Sequence, residues 1–259
     1  MGSQDLARTF TDCELYFPSP TQFSDPFDCN PPFSTDYSED DLRCHFRKAI
    51  PATLSKFGVK LSDAQLEAMT EKRVASILKN ASFESDIVKP FLEGCVAVNS
   101  ELGVLCLSEV YNDILMWSHY ADGHRGIVLE FDKSELESVP DYRYCKKVDY
   151  DKDILTLDEV NRADPNELSR LLLLKKARRW KYEEEWRIIV EPSRRQDFPN
   201  CRIFKFPKRV LTGVIFGCKM SPDDKYAVHT WLKAGNHQAR IYEAIRETNS
   251  YSLKIHPPL

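Results

Sequence analysis

Apolar and polar positions change rhythm several times along the chain, and each change marks an element. Residues 102–107, LGVLCL, are short and continuously apolar, as a buried strand requires. IVLEF (127–131), EWRIIV (185–190) and LTGVIFG (211–217) repeat that signature. Shorter strands are expected near 15–17, 239–243 and 252–256. Between 38 and 98 the pattern turns helical. Its clearest start is Ser62, with Gln65 at capping-box spacing, after which Leu66, Met69, Val74, Ile77 and Leu78 return to one face.

Three further helices follow from their punctuation. Asn112 or Asp113 caps one that runs to about Ala121; Gly123 is expected to supply its left-handed stop and Gly126 the turn into IVLEF. Asp164-Pro165, with Glu167 behind it, opens a helix expected to reach about Arg179. Ser221-Pro222 opens the last, ended by Gly235. Residues 13–36 hold five of the fifteen prolines, but also Phe17, Phe23, Phe27 and Phe33, so an ordered loop is expected there rather than a linker. Strands and helices interleave without a regular βαβ rhythm. The expectation is one α+β domain over 1–259, a mixed or antiparallel sheet flanked by helices, with a helical insertion or lid at about 38–98.

Composition narrows the function classes. The chain of 259 residues is 42% hydrophobic and 29% charged, enough to bury a core. Its net charge of -4 gives no global basic field toward nucleic acid or membrane. No apolar run approaches the ~20 residues of a membrane span, and the first residues lack the basic-then-apolar pattern of a secretory signal. Eight cysteines at 13, 29, 44, 95, 106, 145, 201 and 218 form no C-x-x-C pair and no zinc spacing with the six histidines. Reduced thiols in a cytoplasmic protein without bound metal are expected.

Three stretches can carry chemistry. LMWSHYADGHRG (115–126) places Met116, Trp117, His119 and Tyr120 at a helix end; core packing suits the first two, whereas His119 and Tyr120 have polar tips that can meet a ligand. KKARRWKYEEEWRIIV (175–190) sets Lys175, Lys176, Arg178, Arg179 and Lys181 near a helix end, where they complement the dipole or contact phosphate. Glu183, Glu185 and Arg187 then share one strand face, with Glu184 on the other, forming either an internal brace or a site. QFSDPFDC offers Asp25 and Asp28, which lock a loop or bind a ligand.

At these residues the chain resembles a widespread bacterial family of unknown function. The motifs are Phe23-Ser24-Asp25-Pro26-Phe27-Asp28, Cys106-Leu107-Ser108-Glu109, Met116-Trp117-Ser118-His119-Tyr120-Ala121 with Gly126, and Trp180-Lys181-Tyr182-Glu183-Glu184-Glu185-Trp186-Arg187. Ser24 replaces the usual asparagine, and a His-Tyr-Thr-Ser-like strand found upstream in many members has no match before Leu15. The order of features is similar to ADP-ribosyltransferase-like folds, in which a His, a Tyr and a Glu cradle the nicotinamide half of NAD. That resemblance implies Tyr120 as the stacking residue and Glu183 or Glu185 as the carboxylate. Ser108, His119, Asp25, Asp28 and Arg187 are ligand-binding candidates. The missing upstream histidine removes one expected NAD contact. The leading expectation is a nucleotide-directed enzyme with NAD as substrate, in a defence or toxin setting. The alternatives are a nucleic-acid-associated component using the 175–181 cations, a non-catalytic interaction module, and a metal-dependent hydrolase using Asp25, Asp28, Glu183 and Glu185.

Overall fold

The computed structural model describes residues 3–142, 144–150, 154–194 and 201–256. In chain order the first elements are α1 (Ser3–Thr11), β1 (Glu14–Tyr16), α2 (Glu39–Ser55), α3 (Asp63–Asn80) and α4 (Lys89–Ser100), with a π-helical turn at Glu84–Val88. Next come β2 (Gly103–Ser108), α5 (Ile114–Tyr120), β3 (Ile127–Phe131), α6 (Lys133–Glu137), β4 (Tyr144–Lys147), α7 (Leu157–Arg162) and α8 (Pro165–Leu173). The chain ends with β5 (Glu185–Val190), β6 (Ile203–Lys205), β7 (Leu211–Phe216), α9 (Pro222–Ala234), β8 (Arg240–Arg246) and β9 (Leu253–His256). The fold is α+β, with antiparallel and mixed sheets. The chain gathers into two compact units: Met1–Ser19, Glu101–Val148 and Lys181–Leu259 in the first, Pro20–Ser100 and Asp149–Trp180 in the second.

The first unit holds the sheets. One has the order β2-β5-β4 and is antiparallel throughout; another has the order β3-β7-β8-β9; β1 and β6 pair separately. β7 and β8 run parallel, with α9 lying between them in sequence, because parallel strands need a long crossover that a two-residue turn cannot provide. Phe10, Phe17, Phe204, Val214, Phe216 and Val228 are fully or almost fully buried in its main core.

The second unit is helical. Capping boxes start three of its helices: Ser38 with Asp41, Ser62 with Gln65, and Thr156 with Glu159. Leu42, Phe46, Val74, Ile77, Phe83 and Leu157 form one of its cores. The segment expected as an insertion thus sits in this unit beside 149–180. Two details differ from expectation. The buried stripe of α3 is Thr70, Val74 and Ile77, whereas Met69 and Leu78 are exposed, so the apolar face is narrower than its sequence pattern. The helix opened by Asp164-Pro165 stops at Leu173 instead of Arg179. There Leu174 O accepts from Asp149 N at 2.7 Å and Lys176 N donates to Asp149 O at 3.1 Å, so pairing with a neighbouring segment replaces the helical bonds.

Candidate functional site

A cleft of about 1000 Å³ opens within the first unit. Leu105 and Leu107 of β2, Cys145 of β4 and Trp186 of β5 line one side; Val128 of β3, Ile215 of β7, Tyr242 of β8 and Ile255 of β9 line another, and α5 adds Met116 and Tyr120. The register explains the first wall: Leu107 lies opposite Trp186, and Leu105 opposite Ile188, which also faces Cys145. The cleft also explains β3. IVLEF reads as a core strand, yet all five residues are only half-buried, and all five border the cleft. Its size lies at the upper end of small-molecule pockets, about 300–1,000 Å³.

Helix α5 is short and held at both ends. Asp113 caps it, accepting from Leu115 N at 2.8 Å and Met116 N at 3.0 Å. Trp117 donates Nε1–H to Tyr111 O at 2.8 Å and is buried against Ala121, Ile215, Ala244 and Leu253. After Tyr120 the chain passes through three left-handed residues, Asp122, Gly123 and His124, rather than the single glycine expected. Gly126 N then returns to Ala121 O at 2.8 Å. Gly217 closes against this turn so tightly that a Cβ there would lie 2.2 Å from His124 O.

Tyr120 is the residue of this helix that joins the cleft to a carboxylate. Its ring is 62% exposed, and its hydroxyl donates to Glu183 Oε1 at 2.6 Å. Glu183 itself is 3% exposed. Ser108, also on the cleft wall, donates its hydroxyl to Glu183 O at 2.5 Å.

The three glutamates separate for a reason other than strand alternation. Glu183 ends a 3-10 turn, β5 begins at Glu185, and Glu184 between them is left-handed at φ 42°. Glu185 and Arg187 do alternate with Trp186 along β5, so they point to the other face of the sheet, and neither is among the described residues lining the cleft. Arg187 Nε lies 2.7 Å from Glu185 Oε1 and Nη2 lies 3.2 Å from Oε2. Both side chains are buried, so the pair has the geometry of an internal brace.

Trp186 carries the polar rim. Its Nε1–H donates to Glu109 Oε1 at 2.8 Å, and the Lys133 ammonium stands 4.5 Å over its ring. Lys147 binds the other oxygen of Glu109. These two hydrogen bonds, the lysine's first, hold the Glu109 carboxyl below the usual carboxylate range. The sequence did not single out Lys133 or Tyr242 for this wall; Glu109 and Trp186 stood in its motifs without an assigned role.

The remaining candidates are dispersed. His119 is exposed, edge-on to Tyr120 at 6.2 Å, and is not among the described residues lining the cleft. Asp25 and Asp28 belong to the second unit. Asp25 Oδ1 accepts from Phe27 N at 2.9 Å, the expected loop lock, and Asp28 is buried 3.4 Å from Lys176 Nζ. Lys175 is buried too, 3.1 Å from Glu159. This corrects the phosphate-contact reading for these two lysines: ammonium groups already paired inside a core cannot reach a nucleic-acid backbone. Arg178, Arg179 and Lys181 are exposed. Among the described residues no group of three or more His, Cys, Asp or Glu side chains is placed to hold a metal ion, which leaves a metal-dependent hydrolase without a ligand set there. No described helix is long and apolar enough to cross a membrane.

No curated protein and no solved structure matches the chain. The resemblance carried by the motifs does hold over the segment containing Tyr120, Glu183, Glu185 and Arg187: residues 116–188 match a family described as a protein of unknown function (DUF2971).

Proposed function

We propose that the first unit is a nucleotide-directed enzyme of the ADP-ribosyltransferase kind, with NAD as its substrate. The observation that carries this reading is the Tyr120–Glu183 hydrogen bond of 2.6 Å at the wall of a nucleotide-sized cleft. Tyr111, Tyr120, Trp186 and Tyr242 present aromatic surface to that cleft, suited to planar rings such as nicotinamide and adenine. A carboxylate directly behind the wall stabilises the cationic, oxocarbenium-like carbon that develops as a glycosidic bond breaks. Lys133, on the same wall, supplies positive charge for a phosphate.

The test is direct. NAD at a hundred times its Kd should stabilise the protein by about 2.7 kcal/mol, a measurable rise in Tm, and nicotinamide should appear in the solution. Trp186→Ala, which removes the aromatic wall, should abolish the thermal shift. Absence of both the shift and nicotinamide release at millimolar NAD would overturn the proposal.

A further inference from the structure

We infer that Tyr120, rather than Glu183, is the group that touches the reacting hydroxyl, and that Glu183 acts through it as the final proton acceptor. The inference rests on the NAD-cleaving reading above and deepens it by assigning the nucleophile: a hydroxyl group, water included.

The geometry separates the two residues by role. Tyr120 lines the cleft, whereas Glu183 is 3% exposed and is not among the described lining residues. The phenol bridges them, and its 2.6 Å bond lies in the range of an O–H donor on a carboxylate, about 2.5–2.7 Å. A ligand in the cleft therefore meets Tyr120 before Glu183.

Three contacts hold Glu183 in that rear position. Ser108 Oγ donates to its carbonyl at 2.5 Å. Glu184, left-handed, donates its N–H to Lys181 O at 3.2 Å and accepts from Glu109 N at 3.2 Å. This backbone arrangement leaves Glu183 outside the β5 pleat, at the end of the 3-10 turn. Unusual backbone conformations of this sort persist where the surroundings fix them, and they cluster at sites of function.

The step balances as follows. The attacking hydroxyl passes its proton to Tyr120 Oη while Tyr120 passes its own proton to Glu183 Oε1. The freed oxygen bonds to the anomeric carbon of the ribose. The carbon–nitrogen bond to nicotinamide breaks, and its electron pair goes to the pyridinium nitrogen, so nicotinamide leaves neutral. Glu183 then returns the proton to solvent. With water as nucleophile the products are nicotinamide, ADP-ribose and one proton.

The experiment follows nicotinamide release from NAD by the full chain across pH, in the wild type and in Tyr120→Phe, Glu183→Gln and Glu183→Asp. General-base assistance contributes about 10²–10⁴-fold. Tyr120→Phe should lose kcat by that factor with KM nearly unchanged, since the ring is kept. Glu183→Gln should match it, while Glu183→Asp restores part of the rate. A wild type inert toward NAD would overturn the proposed function and the relay together. An active Tyr120→Phe beside an inactive Glu183→Gln would overturn the relay alone, because Glu183 would then act on the substrate directly. Where Glu183→Gln melts early, Tyr120→Phe decides. Tyrosinate absorbance gives a readout that does not depend on turnover: the Tyr120 ionisation, taken as wild type minus Tyr120→Phe, should move to lower pH in Glu183→Asp as the carboxylate draws back. No movement would overturn the coupling.

Discussion

Glu185→Gln distinguishes a brace from a reacting carboxylate at the position where the sequence left both readings open. Glu185 is 2% exposed and Arg187 0%, and the guanidinium reaches both carboxylate oxygens, at 2.7 and 3.2 Å. Glutamine keeps one acceptor and turns a donor amide toward a guanidinium that can only donate. Breaking one side of a buried pair costs about 3–5 kcal/mol. For a chain of this size each kcal/mol lowers Tm by roughly 2–4 °C, so the expected drop is about 6–20 °C. Glu184→Gln is the control: Glu184 is exposed, and its carboxylate lies 3.9 Å from Lys147, an ion pair worth about 1 kcal/mol or less. Calorimetric melts give Tm, and urea titrations with an unchanged slope confirm that the difference is one of stability. Because Glu185 is not among the described residues lining the cleft, folded Glu185→Gln should keep the wild-type nicotinamide release per molecule. A Glu185→Gln melt matching Glu184→Gln, together with lost turnover, would refute the brace and return Glu185 to the site.

Other consequences follow from the same contacts. Gly217→Ala would push a methyl group into the His124 carbonyl, at 2.2 Å from its oxygen, and should cost about 1–3 kcal/mol or more in urea unfolding while loosening the turn behind α5. Lys175→Ala removes one partner of a pair in which the lysine is buried and Glu159 is 20% exposed, so it should lower Tm markedly and leave retention on a polyanion column unchanged. His45 and His124 both ionise below the ordinary histidine value: burial is the main cause in each, opposed at His45 by a hydrogen bond with Asn161 and reinforced at His124 by Lys219. Depressed bases stay neutral in the fold while the unfolded chain takes up protons first, so their contribution is complete above about pH 6.5 and is lost as pH falls. Urea unfolding at pH 7.5 and 5.5 should therefore show a smaller acid loss in His45→Gln than in the wild type.

Local rules made much of the chain legible in advance. Alternation and apolar runs place β2, β3, β5 and β7 within a residue or so, because a strand's core face is written in its own side chains. Ser62, Asp113, Ser221 and Gly235 mark helix ends correctly because capping needs only groups a few residues apart. The motifs holding Tyr120 and Glu183 were also visible, since they are local. What each of them touches was not. Which strand lies beside which, and hence that β3 borders a cleft as well as the core, depends on pairings across tens of residues. The end of α8 at Leu173 was decided by Asp149, a competitor for backbone bonds that no helical pattern reveals. Lys175 and Lys176 show the same limit: five cations in seven residues read as a basic surface until Glu159 and Asp28 come within ion-pair distance of two of them. The left-handed Glu184 is the sharpest case. A run of three glutamates gives no local signal for a left-handed residue, yet one stands between Glu183, bonded to Tyr120, and Glu185, bonded to Arg187, because sterically costly conformations are set by the contacts around them and not by the residue that adopts them.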